Sequence, residues 1–138
     1  LPLVAALAAG SVTAILSALA LALAFGFPPR LIASVAAHAV TTPVAMVMTD
    51  QLQGIISLAI ITVRISGLVG SVIATPLLNR MGITDQRARG FAVGTASHAL
   101  GTARAFHVSE TAGTFSGMAM ALNAVTTAVL ISLYLLLA

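Results

Sequence analysis

Two histidines stand in similar stretches of sequence sixty residues apart. Residues 36–43 read AAHAVTTP and residues 96–103 read ASHALGTA, so His38 and His98 occupy the same position and four of eight residues are identical. Histidine titrates near neutral pH and can carry a proton or bind a ligand. Hydrogen-bonding side chains within or directly beside these two stretches include Thr41, Thr42, Thr95, Thr102 and Arg104.

Both stretches contain residues that interrupt a helix. Pro43 removes a backbone donor, and Gly101 is flexible. A helix that begins inside a membrane exposes backbone N–H groups with partial positive charge, which favour an anion. Hydroxyls and the guanidinium of Arg104 suit a small monocarboxylate. We therefore predict a carboxylate site formed by His38, Thr41, Thr42, Thr95, His98, Gly101, Thr102 and Arg104.

A structural interpretation of the same residues stays open. The threonines can bond to carbonyls of their own helix, and Pro43 can be only a kink. Gly90, Gly94 and His98 recur at helical spacing and can form a packing groove. Catalysis is not expected, because Ser97-His98 with Asp50 is no triad pattern and no spacing suits a metal site. No cofactor is expected either.

The composition identifies the solvent of this chain as a lipid bilayer. Of its 138 residues, 59% are hydrophobic and 7% are charged, which is too few to cover a soluble domain. The six basic residues are all arginine and are scattered among loops. They form no basic stripe for nucleic acid, and we interpret them by the positive-inside rule. We expect one membrane domain over residues 1–138.

Apolar runs divide the chain into five segments. Residues 3–27, 54–78 and 113–137 are each long enough to cross a bilayer as a helix. Residues 31–49 and 90–108 are shorter and are interrupted by polar residues, glycine or proline. The predicted fold is an all-α polytopic membrane helix bundle, with three full transmembrane helices alternating with two broken ones.

The arginines predict an orientation if all five segments cross. Residue 1 is then outside and residue 138 inside, with Asp85 in the cytoplasm and both Asp50 and Glu110 outside. Re-entrant hairpins at the broken segments remain an alternative. Arg64, within the second apolar span, should point inward or extend to the membrane surface.

Paired broken segments also indicate where a binding site lies. A weak internal repeat that carries two interrupted helices is typical of secondary transporters. We expect the two breaks to meet at mid-depth around one polar cavity, with Arg104 at its edge.

Three stretches carry a resemblance to a known family. They are residues 40–46 (VTTPVAM), residues 88–104 (ARGFAVGTASHALGTAR) and residues 115–119 (FSGMA). In order and spacing they resemble the LrgB/CidB family of bacterial membrane proteins, also found as the C-terminal part of the plastid glycolate/glycerate transporter. Family members often have Lys-Ser where this chain has His38-Ala39. Family members are also longer at the N-terminus, so we expect this chain to be the C-terminal part of a longer protein.

The resemblance implies a multi-pass protein of the bacterial cytoplasmic membrane. It implies either a carrier of small carboxylates such as glycolate, glycerate or pyruvate, or an antiholin-like regulator of murein hydrolases. The regulator would act with a small LrgA/CidA-type partner. Small residues at helical spacing also allow a homo-oligomer. The broken segments favour the carrier, because a scaffold needs only packing faces.

Overall fold

A computed structural model describes residues 2–137, which form six α-helices. They are α1 (Pro2–Ala24), α2 (Pro29–Val35), α3 (Thr42–Gln51), α4 (Ile56–Arg80), α5 (Gln86–Val108) and α6 (Glu110–Leu137). Within the described residues, α1, α4 and α6 are long and apolar enough to cross a membrane. The predicted three full helices and two broken segments are confirmed.

Glycine and proline separate α1 from α2. Gly26 takes a left-handed conformation (φ 67°). The N–H of Phe27 then donates to the carbonyl of Ala22, which caps the last turn of α1. Pro29 begins α2, where a missing N–H costs nothing.

The first broken segment folds back on itself. Pro29 and Arg30 line the same shallow pocket as Asp50 and residues 52–54. The N–H of Ile55 donates to Oγ of Ser34 over 2.6 Å, which ties the end of the segment to α2. We call α2, α3 and the turn between them (residues 29–51) the first hairpin.

The second broken segment also folds back. His98 has non-helical angles (φ 40°, ψ −132°), which divide α5 into arms of residues 86–97 and 99–108. Gln86 and Val108 line the same small cavity of about 20 Å³, although a straight helix would hold them about 33 Å apart. Gly101 accordingly lies against Val93. We call residues 86–108 the second hairpin.

Of the two arrangements that the sequence leaves open, the structure therefore has the re-entrant hairpins, and the predicted placement of Glu110 on the side of Asp50 is wrong. Each broken segment returns to the end of the bundle from which it entered, and the two enter from opposite ends. Asp85 and Glu110 lie at one end, called the Asp85 end, and Asp50 lies at the other, the Asp50 end. A segment of about 19 residues is long enough for either a crossing helix or a short hairpin, so its length does not distinguish the two arrangements. The predicted sides of residues 1 and 138 fall outside the described residues.

Two apolar clusters hold the hairpins. One surrounds the first hairpin and comprises Ala37, Val40, Ala45, Met48, Val63 and Ile131. The other surrounds the second hairpin and comprises Leu78, Val93, Ala105 and Ala112. Large apolar side chains such as Leu21, Val72 and Val125 are exposed along the outer faces of the crossing helices, as expected where lipid is the solvent.

Candidate functional site

The tips of the two hairpins meet beside Asn123 of α6. This side chain is only 1% exposed. Its Nδ2 donates to the carbonyl of Ala39 in the first tip over 2.7 Å and to that of Thr95 in the second over 3.2 Å. Its Oδ1 accepts from the hydroxyl of Ser11 on α1 over 2.6 Å. One amide thus joins both hairpins to α1.

A second set of contacts joins the tips through α4. Nε2 of His98 lies 2.9 Å from the carbonyl of Val63, so Nε2 carries the proton and donates it. The hydroxyl hydrogen of Ser66 is shared between the carbonyl of His38 at 3.1 Å and that of Val63 in its own helix at 3.0 Å, and Oγ lies 3.5 Å from Nε2 of His98. A Cβ at Gly67 would collide with the His98 ring, which explains the glycine.

His98 holds a backbone conformation that normally requires glycine. A positive φ in a residue with a Cβ costs on the order of 1–3 kcal/mol and persists only when the surroundings enforce it. The buried ring, fixed by the carbonyl of Val63, supplies that constraint. The strain lies at the tip of the second hairpin, where the two halves of the molecule meet.

A groove of about 1000 Å³ runs between α1 and the first arm of α5. Asp85 and Arg87 line one part of it, and His38 and Thr95 line the part beside the tips. Nδ1 of His38 is buried and has no hydrogen-bond partner among the described residues. The groove therefore extends from one end of the bundle to His38 and Thr95 at the hairpin tips.

The predicted site residues near the second tip divide into two groups. Thr95 lines the groove, but its hydroxyl donates to the carbonyl of Phe91 in its own helix. His98 faces α4 instead of the groove, and the hydroxyl of Thr102 lies 2.9 Å from that of Ser116 on α6. The tips converge as predicted, but the two histidines do not share one cavity.

The remaining predicted residues lie apart from the groove. Thr41 and Thr42 are half-buried at the start of α3. Gly101 packs against the other arm of its hairpin. Arg104 is exposed and lines the small cavity of the Asp85 end with Arg89, so its predicted place at the edge of the central cavity is wrong. An arm that folds back carries Arg104 away from the tip.

Two further arginines have different surroundings. The guanidinium of Arg89 is buried and donates to Oδ1 of Asn79 and the carbonyl of Ile83, each over 2.8 Å. It fastens the loop before α5 to the second hairpin. Arg64 is exposed on α4, so among the described residues it does not point into the bundle.

Asp85 caps the first arm of the second hairpin. Its carboxylate accepts from the backbone N–H of Arg87 over 2.9 Å, as an N-cap does. That hydrogen bond lowers the pKa of the Asp85 carboxyl below its ordinary value, and the guanidinium of Arg87 at 3.4 Å lowers it further. Both side chains are exposed, so the ion pair itself adds little stability.

Comparison with known proteins places these features in a family. A profile of the LrgB-like family matches residues 1–137. A protein of Haemophilus influenzae is 35% identical over 87% of this chain and 52% of its own length. Holin-like protein CidB of Staphylococcus epidermidis is 34% identical over 82% of this chain and 49% of its own.

Holin-like protein CidB of Staphylococcus aureus is 32% identical over 83% of this chain and 50% of its own length. The chain thus spans about half the length of the curated relatives it matches. No solved structure matches the chain.

Proposed function

The chain belongs to the LrgB-like family of membrane proteins, and from that premise we propose that it carries small carboxylates across the membrane. The observation that carries the proposal is the meeting of two hairpins that enter from opposite ends of the bundle. Interrupted helices in related, oppositely oriented repeats form the substrate sites of many secondary transporters.

The backbone at the tips supports an anionic substrate. In each hairpin the returning arm begins at the tip, after Thr41 in the first hairpin and after His98 in the second. A helix start carries partial positive charge, which favours a carboxylate. The groove would give such a substrate a path to His38 from the Asp85 end.

The arginines support an orientation for this path. Arg80, Arg87 and Arg89 lie at the Asp85 end, whereas Arg30 lies at the Asp50 end. The end with more arginines is expected to face the cytoplasm. In a bacterial cytoplasmic membrane the groove would then open toward the cytoplasm.

A second candidate function rests on the names of the relatives. Two relatives from staphylococci are called holin-like, a description that agrees better with a regulator of murein hydrolases than with a carrier. Such a regulator would assemble with copies of itself or with an LrgA/CidA-type partner. The exposed apolar faces of α1, α4 and α6 offer surfaces for assembly.

Uptake into proteoliposomes of the full-length protein tests the carrier. We expect saturable uptake of labelled glycolate, pyruvate or lactate that excess unlabelled substrate abolishes. His38→Ala should lower uptake on the order of tenfold, as for loss of one buried polar contact to a charged substrate. His107→Ala is the matched control, because His107 is exposed near the end of α5.

Two outcomes would contradict the carrier proposal. Uptake equal to that of empty liposomes would exclude these substrates. Release of an unrelated trapped dye, unaffected by His38→Ala, would favour the holin-like function instead.

A further inference from the structure

We propose that Asn123 is a positioning residue that couples the tips of the two hairpins, so that neither tip separates from the centre of the bundle alone. The proposal concerns how the two hairpins move and does not depend on which solute, if any, the protein carries. It rests on three hydrogen bonds of one buried side chain and on the carbonyls that they satisfy.

The carbonyls of Ala39 and Thr95 need donors because of the breaks. In a continuous helix, the carbonyl of Thr95 would accept from the N–H of Ala99. The non-helical angles of His98 remove that pairing, and Ala39 lies in the turn between α2 and α3. A carbonyl without a donor is costly where water is excluded. The amide of Asn123 supplies a donor to each tip with its two hydrogens.

The position of Asn123 has a counterpart on α4. Val63 precedes Asn123 by sixty residues, the same spacing that separates the two histidines. Val63 contacts the second tip through its carbonyl, and Asn123 contacts the first tip through its amide. Only the α6 member of this pair also bonds the other tip, because a side-chain amide has a second hydrogen to donate. The link between hairpins is thus built into one residue of an otherwise repeated arrangement.

The third hydrogen bond connects the tips to the wall of the groove. Ser11 donates to Oδ1 of Asn123 from α1, whose neighbouring residues Gly10 and Thr13 line the groove. Displacement of α1 from the bundle would remove the partner that orients the amide. Opening of the groove and release of the tips are therefore linked through the same side chain.

Hydrogen–deuterium exchange on the full-length protein in detergent tests the coupling. Asn123→Leu keeps a similar volume but removes both donors. We expect backbone amides of both tips, residues 36–41 and 95–99, to exchange about tenfold faster, as for loss of one buried hydrogen bond at each tip. Ser116→Ala is the matched control, because Ser116 bonds Thr102 of the second hairpin alone. It should leave exchange of the first tip unchanged.

Exchange that rises at one tip only in Asn123→Leu would overturn the coupling, as would equal effects of the two variants on the first tip. If Asn123→Leu does not fold, Asn123→Gln replaces it. The longer side chain keeps both donors but displaces them, so both tips should still exchange faster by a smaller factor. Faster amide exchange at only one of the two tips in Asn123→Gln would also overturn the proposal.

Discussion

The two hairpins reverse the direction of the chain and hold their tips in different ways. In the first, the chain turns over six residues (36–41), and the carbonyls of the turn accept hydrogen bonds from Ser66 and Asn123. In the second, the chain turns at one strained residue, His98, whose ring bonds to α4. The first tip is held by its backbone carbonyls, whereas the second is held by the His98 ring as well as by the carbonyl of Thr95.

The second hairpin also packs more closely on its neighbouring helices than the first does. Gly90 and Gly94 let the first arm of α5 approach the backbone of α6 so closely that a Cβ would collide with the carbonyls of Ala112 and Ser116. The first hairpin has a shorter first arm and packs chiefly on α4 and α1. Elements with fewer packed contacts open more easily. The comparison indicates that the second hairpin is packed more tightly than the first.

The largest expected effect concerns the opposite entry of the hairpins. Single cysteines at positions 50, 85 and 110 can be labelled with an impermeant maleimide in intact cells that make the full-length protein without other cysteines. Positions 85 and 110 should be protected or labelled together, and position 50 should behave oppositely, because each hairpin returns to its own end. Labelling of 50 and 110 from one side would restore the five-crossing arrangement.

Gly94→Val should strongly destabilise the protein. The new Cβ meets backbone atoms of Ser116, which cannot rotate away, so we expect a loss of about 3 kcal/mol. Thermal unfolding in detergent measures the change. Gly117→Ala is the control on the facing helix, because its Cβ would lie 3.9 Å from the Thr102 side chain and fits without strain. Equal stability of the two variants would contradict a tightly packed second hairpin.

The two histidines should differ in their effect on stability. His98→Ala removes the bond to Val63 and keeps the strained backbone, which should cost about 2 kcal/mol. His38→Ala should cost less than about 1 kcal/mol, since Nδ1 has no partner among the described residues. His98→Gly, which relieves the positive φ, should recover part of the loss. Chemical unfolding of the three variants measures this, and a larger loss for His38→Ala would reverse the ranking.

The smallest expected effect is on stability and concerns the capping of the first helix in each hairpin. Asp85 caps the second hairpin, whereas Pro28, at the start of α2, makes no side-chain capping bond among the described residues. The pKa of Asp85 is lowered in the fold, so its contribution to stability is complete above the ordinary carboxyl pKa of 3.8 and is lost as the pH falls through the lowered value.

Circular dichroism of the full-length protein in detergent against pH, with Asp85→Asn as the control, tests this difference. Asparagine also caps helices but does not titrate. The variant should therefore lose less helix on acidification than the parent protein. Identical acid profiles would show that the cap of Asp85 contributes nothing.

Much of the fold follows from sequence because its cause is local. Three uninterrupted apolar runs predict α1, α4 and α6, and the two matching segments predict two breaks that meet. The breaks lie at residues 36–41 and at His98, and not at the predicted Pro43 and Gly101. Whether a broken segment crosses the membrane or folds back is not determined by local sequence. It depends on contacts such as that of Ser34 with Ile55, and these form only when the chain has folded back.

The sequence does not identify the connecting residues for a related reason. Asn123, Ser66 and Ser11 lie in apolar runs whose pattern predicts plain crossing helices, and the polar residues at the breaks do not indicate these partners. A signal was present: Asn123 is the one carboxamide in α6, and an isolated polar side chain in a membrane helix usually bonds to another helix. The predicted role of Thr102 missed its partner Ser116 in the same way.

The bond between Asn123 and Ala39 also constrains how the protein is made. The two residues are 84 positions apart, and at about 5–20 residues per second the ribosome needs roughly 4 to 17 s to synthesise that interval. During this time the carbonyl of Ala39 lacks its native donor. In a first hairpin that inserts before α6 is made, this carbonyl would therefore lie in lipid without a hydrogen bond. We expect the first hairpin to remain at the membrane surface until α6 is synthesised. Insertion of α6 is then the step after which the nascent chain can form the native bundle.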